Sequence, residues 1–141
     1  MPTWPKRKAR PGVDEYGRTP LWYRAVEGDV DGVRSEIGGG ADPNAGDDVD
    51  YTPLHAAVQA GHIHVVKFLL ESGADTNKTD KHGNGPLWTA ILSAPRERQD
   101  EIITCLLDAG ADPQCKNRHG RSPYDVAIEI GHGMDKLLGN K

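Results

Sequence analysis

The chain repeats itself, and that repeat restricts its fold more than any other feature. Thr19-Pro20-Leu21 recurs 33 residues later as Thr52-Pro53-Leu54, after another 33 as Gly85-Pro86-Leu87, and after 37 as Ser122-Pro123-Tyr124. A second marker keeps step: Gly40-Ala41-Asp42, Gly73-Ala74-Asp75 and Gly110-Ala111-Asp112 are spaced 33 and 37. Both markers lengthen by four residues in the third unit, and the excess falls near Ala94, Pro95, Arg96 and Glu97, between that unit's two helices. A fixed period of this length describes a stack of like units, each too small to bury its apolar face alone.

The second unit shows how one such unit folds. Thr52 before Pro53 suits an N-cap followed by the first helical position. Leu54, Ala57 and Val58 recur at three and four residues, giving a short apolar face, and Gly61 ends the helix. Val65, Val66, Leu69 and Leu70 mark the core side of a second helix that Gly73 ends. The polar stretch that follows, rich in Gly, Asn and Asp, is hairpin-turn material. Neither helix is long enough to stand alone, so stability must come from stacking.

Residues 51–77 read YTPLHAAVQAGHIHVVKFLLESGADTN. With the period of 33, this stretch resembles the ankyrin-repeat family. The resemblance covers about residues 13–141. It implies an all-α ankyrin-repeat solenoid of four helix-pair units with hairpin fingers. The units run about 14–46, 47–79, 80–116 with the insertion, and 117–141 as a truncated cap. Three departures mark special points: Gly85 where Thr caps elsewhere, Arg24 where Ala57 and Ala90 stand, and Asp50 in place of Gly17, Gly83 and Gly120. The first, together with the insertion, predicts lower stability in the third unit.

Composition narrows the setting. Two cysteines, Cys105 and Cys115, are too few for a disulfide framework and fit a reducing, cytoplasmic location. No apolar run approaches the roughly 20 residues of a membrane span, and no apolar segment follows the basic N-terminus as in a secretory signal. The formal charge of −4 hides an asymmetry. Residues 1–12 carry Lys6, Arg7, Lys8 and Arg10 without an acid; residues 14–50 hold ten acids against three arginines, for −7. The basic, proline-containing 1–12 reads as a disordered solubilising tail, with a nuclear address or a nucleic-acid arm as the alternatives.

Catalysis finds no support. His55 stands at the family's Thr-Pro-Leu-His position, where the resemblance implies that the imidazole fixes loop hydrogen bonds. His62 and His64, two apart, would not converge on a metal, and Cys105, Cys115 and His119 lack paired zinc-ligand spacing. No nucleophile elbow, phosphate loop or other constellation is present. We therefore expect no cofactor, no metal and no small-molecule substrate.

The resemblance does point to a groove, lined by finger tips and by exposed positions of the inner helices. Carried over by position, the tips are Glu15, Tyr16 and Arg18; Asp48, Val49 and Tyr51, with Asp47 and Asp50 beside them; Lys81, His82 and Asn84; and Arg118, His119 and Arg121. The inner-helix positions are Val26 and Glu27, Gln59 and Ala60, Leu92 and Ser93, and Glu129 and Ile130. Finger two is acidic and finger four basic. Trp22 and Trp88 stand where His55 stands and have two readings, interface anchors or packing variants. The partner is then another protein, bound by a chain monomeric when free. The compact form and the Thr-Pro-Leu-Trp wording are similar to small bacterial ankyrin proteins, several of which resemble immunity proteins encoded beside secreted toxins. An acidic half would suit a basic toxin or nuclease domain. A regulator or scaffold of eukaryotic type is the alternative, with Asn44 and Asn77 resembling positions that oxygenases hydroxylate in some ankyrin proteins. Acidic finger two argues against nucleic acid, since it would repel phosphates.

Overall fold

A computed structural model describes residues 12–139. Among them are eight helices, in the order α1 (Pro20–Glu27), α2 (Val30–Gly38), α3 (Pro53–Ala60), α4 (Ile63–Glu71), α5 (Pro86–Ser93), α6 (Arg96–Asp108), α7 (Pro123–Ile130) and α8 (Met134–Leu137). No strand occurs among the described residues. The basic tail read over 1–12 lies, Gly12 apart, outside them.

Each inner helix starts the same way. Proline takes the first helical position in α1, α3, α5 and α7, and the residue before it is the N-cap. Thr19, Thr52 and Ser122 accept the backbone N–H three residues on; Gly85 cannot, and α5 begins without a side-chain cap. The α1–α2 and α3–α4 links turn on Gly28 and Gly61, both left-handed. At Gly28 a Cβ would also strike the His62 ring at 2.6 Å, because His62 reaches across to donate its Nε2–H to the Val26 carbonyl (3.1 Å).

The helices stack in two layers. The inner helices α1, α3, α5 and α7 pack each on the next, the outer helices α2, α4, α6 and α8 do the same, and each pair closes on itself. The core runs between the layers through Leu21, Leu54 and Leu87 at equivalent positions, and through Val33, Val66 and Ile103. At the first unit the pattern turns polar, with no other unit packed against that side among the described residues. Arg24 replaces the buried Ala57 and pairs with Glu27 and Asp29 at 3.9 and 3.6 Å. Gly32 and Glu36 stand in for the buried Val65 and Leu69, so α2 buries Val33 alone.

The four extra residues of the third unit do not lengthen a loop. Ala94 and Pro95 join α5 to α6 as tightly as the first two pairs are joined, and the excess appears as an additional first turn of α6, thirteen residues long against nine in α2 and α4. Pro95 presets the entry, and the polar, straight-chain residues Arg96 to Gln99 are good helix formers.

Candidate partner-binding site

The four fingers share one internal design. Asp14, Asp47, Asp80 and Asn117 open them, and each side chain accepts the backbone N–H groups two and four residues on, at 2.8–3.1 Å. The backbone N–H of each opening residue bonds the carbonyl four residues ahead, closing a tight loop. The fourth residue of each loop has positive φ: 76° at Gly17, 60° at Asp50, 79° at Gly83 and 75° at Gly120. Asp50 thus holds the glycine conformation at some cost, eased because Asp tolerates it better than most residues.

Neighbouring fingers are sewn together. Asp48 N–H donates to the Tyr16 carbonyl (3.0 Å), Lys81 to Val49 (3.0 Å) and Arg118 to His82 (3.1 Å). Contact is close enough that a Cβ on Gly83 would meet the Arg118 nitrogen at 2.9 Å. Below the tips, Asn44 and Asn77 hold adjacent units. Each accepts the N–H of Asp75 or Asp112 and donates to Gly73 or Gly110. Positions equivalent in sequence therefore become rows in space.

One row is Glu15, Asp48, Lys81 and Arg118, acidic at one end and basic at the other. Beside it run Tyr16, Val49, His82 and His119, all exposed. A third row, Arg18, Tyr51, Asn84 and Arg121, turns back toward the inner helices. Tyr51 donates to Gln59 Oε1 on α3 (2.7 Å), and Arg121 forms an ion pair with Glu129 on α7. Burial pushes the Tyr51 phenol up to about 12, so it stays a neutral donor.

Beneath that row lie Trp22, His55, Trp88 and Asp125, each at the third position of its inner helix. His55 is buried. Its Nδ1 accepts the Thr52 N–H (3.2 Å) and its Nε2–H donates to the Asn84 carbonyl (3.0 Å), which fixes the tautomer. Burial lowers its pKa. Tyr51 covers the ring, with centroids 4.7 Å apart. In the first unit Arg18 covers Trp22 in the same way, its guanidinium 4.4 Å from the ring centroid, 4.8 Å from Tyr16 and 5.9 Å from Tyr23. Tyr23 hydrogen-bonds Asp14, and that bond more than any other influence holds the Asp14 carboxyl below its usual range. Asp125 repeats the Thr52–His55 capping box with Ser122, whose hydrogen bonds depress its carboxyl too.

The structure sorts the anticipated site residues. Glu15, Tyr16, Glu27, Asp50, Gln59, Lys81, His82, Arg118 and His119 are exposed along the fingers and α1 and α3. Asp48, Tyr51, Trp88 and Arg121 are half-buried. Four others, Arg18, Trp22, Asp47 and Asn84, are engaged within the fold. Trp22 is only 7% exposed and packs beneath Arg18. The Asp47 carboxylate accepts two loop N–H groups and pairs with Arg18 Nε at 4.0 Å. Asn84 accepts from Asn117 Nδ2 (2.9 Å). His64 is exposed, Cys105 is half-buried on α6 and Cys115 is exposed, and no group of three or more His, Cys, Asp or Glu among the described residues could hold a metal.

One feature lies beyond the anticipated residues. The extra turn of α6 extends past the short α8, which starts only after Gly131, His132 and Gly133 with three successive positive φ values. An open notch of about 710 Å³ remains between them, with Leu92, Ala94, Arg96, Gln99, Ile130 and Lys136 on its walls. Leu92 (52% exposed) and Ile130 (37%) are both groove positions, so the notch opens into the groove. Its sequence signal is the pairing of a helix-forming insertion with a glycine-broken last helix.

No described helix is long and apolar enough to cross a membrane. Among known proteins, the chain is similar over 68 residues, at 43% identity, to ankyrin repeat-containing protein P1E11.10 of Schizosaccharomyces pombe. It is 44% identical over 63 residues to the 26S proteasome non-ATPase regulatory subunit 10 of Dictyostelium discoideum, and 46% identical over 65 to the 2-5A-dependent ribonuclease of Mus musculus. The matches take up 48%, 44% and 45% of this chain but only 33%, 27% and 9% of those relatives, so the chain spans a third or less of their length. A family model described as ankyrin repeats, three copies, matches residues 25–117. Such repeats act as protein–protein interaction modules and are not themselves catalytic, even where a relative joins them to an enzyme. With its repeat markers, its helix pairs and this match, the chain belongs to the ankyrin-repeat family.

Proposed function

We propose that the chain binds and neutralises a partner protein across the surface formed by its finger tips and inner helices. The observation that carries this reading is the tip row of Glu15, Asp48, Lys81 and Arg118, held in fixed order by the finger-to-finger hydrogen bonds. A preorganised row of this kind loses little freedom on binding, and its charge order selects one orientation of the partner. The acidic end faces a basic region of the partner, while the notch beside Leu92 and Ile130 accepts an apolar side chain. A basic toxin or nuclease domain has the chemistry that the acidic end favours, and the chain then acts as an immunity protein by masking it.

Affinity isolation with the full chain, followed by calorimetric titration of the partner, tests this reading. Glu15→Gln with Asp50→Gly removes two exposed acids, and glycine suits the Asp50 backbone, so the fold is kept. That variant is expected to weaken binding about tenfold or more, which is about 1.4 kcal/mol. Lys67→Gln, on the outer layer, is expected to change nothing. The reverse pattern would mean that the groove is the wrong surface.

A further inference from the structure

Two of the three junctions between units are stoppered, and the last is not. The His62 ring lies over Gly28 and the Pro95 ring over Gly61, so closely that a Cβ on either glycine would meet them at 2.6 and 2.7 Å. By position, His132 is the residue that should cover Ala94 in the same way. Instead His132 holds a φ of 57° between two glycines of positive φ and is exposed. Both residues line the open notch of about 710 Å³ between α6 and α8. That volume falls within the roughly 300–1,000 Å³ of sites that enclose a ligand, so the notch has room for a segment of chain.

Its chemistry is two-sided. Ile91, Ala94 and Met134 give it a buried apolar floor, and Leu92 and Ile130 an exposed apolar edge. The walls carry two cations, Arg96 on the extra turn of α6 and Lys136 on α8, against one acid, Asp100. Neighbouring cations are spent within the fold. Arg98 and Lys67 share Glu101 at 3.5 and 3.7 Å, and Arg121 holds Glu129. Arg96 and Lys136 form no ion pair with a described carboxylate, and the Gln99 amide is already given to the Ala90 and Ile91 carbonyls. α6 also starts without a side-chain cap, which adds the positive end of its dipole to the same wall.

We propose that the notch receives an acidic segment of the partner protein, with one large apolar side chain on the floor and flanking carboxylates against Arg96 and Lys136. The apolar residue supplies most of the affinity, because burying it removes Leu92 and Ile130 from water as well. The rim charges fix its orientation and reject cationic segments. This inference rests on the partner-binding reading and adds that the partner is charge-split. Its basic region meets fingers one and two, and its acidic, apolar segment meets the third and fourth units, where Lys81 and Arg118 also lie.

The probe is a short capped peptide with a central leucine between two pairs of aspartates, titrated into the isotope-labelled full chain. The Leu92, Ala94, Arg96, Ile130 and Lys136 amides are expected to shift saturably below about 1 mM peptide, while those of α2 stay in place. Alanine for the leucine, or lysine for the aspartates, should weaken binding about tenfold or more. Arg96→Gln with Lys136→Gln should do the same to the original peptide, and α3 and α4 resonances report whether the fold is kept. Should Lys136→Gln loosen the short α8, the peptide series on the native chain decides alone. No shift at the notch, equal binding of the lysine peptide, or shifts confined to the finger tips overturns the proposal. Notch shifts that grow with protein concentration without peptide would mean that a second copy covers it, and would overturn it too. The two readings fail separately: a silent notch leaves the finger acids untouched, and those are tested by Glu15→Gln with Asp50→Gly.

Discussion

His55 has no solvent to share, and both its ring nitrogens are committed: one accepts from Thr52, the other donates to the next finger through the Asn84 carbonyl. Protonating the acceptor nitrogen would break the capping box, so burial lowers the folded pKa below the unfolded value of about 6.5. An unfolded chain then takes up a proton that the folded one refuses. The stabilisation is complete above about pH 6.5 and declines as pH falls below it toward the folded pKa. Urea titrations over that range are expected to show a loss of stability in the native chain that His55→Asn lacks. How far single residues were legible in the sequence depended on what they bond. The structural role of His55 followed from the Thr-Pro-Leu-His resemblance. Asp47 counts toward the acidity of finger two in the sequence, yet its carboxylate serves its own loop. The hint was that Asp14, Asp47, Asp80 and Asn117 recur in register, and a short polar side chain always found at the start of a turn is a backbone acceptor.

Among the elements, the third helix pair is the irregular one. α5 starts at Gly85 without a cap, and a Cβ there would find nothing nearer than 3.8 Å at φ −91°. Gly85→Ser should therefore add a capping hydroxyl and restrict the unfolded chain, raising stability by about 0.5–1 kcal/mol. At the other end of α5 the Gln99 amide donates to the Ala90 and Ile91 carbonyls at 3.1 and 2.8 Å. Gln99→Ala leaves those terminal carbonyls without it and is expected to cost about 1–2 kcal/mol; denaturant midpoints check both changes. The position and size of the insertion could be counted from the repeat markers. Its form could not, since spacing alone does not distinguish a longer loop from a longer helix. The notch escaped notice for the same reason, as it depends on how far α6 extends past α8.

At the scale of the whole molecule, each pair touches only its neighbours, so the site of a cavity decides what unfolds. Leu69, fully buried in the second pair, has units on both sides, and Leu69→Ala should lower global stability by about 2–5 kcal/mol. Leu138, 5% exposed at the end of α8, has no unit beyond it among the described residues. For Leu138→Ala, amide hydrogen exchange is expected to quicken in α7 and α8 while α3 and α4 keep their protection. The layered architecture was readable because two independent markers shared one period. Which finger acids remain available was not, because formal charge does not reveal that Asp47 is already engaged by Arg18 and by loop N–H groups. A stack of near-identical units also carries a hazard that its partners must face: shifted by one step, a ligand meets almost the same scenery. On the reading proposed above, the overhanging first turn of α6 breaks that monotony, since it projects from one storey alone and would give a bound chain a fixed landmark against slippage.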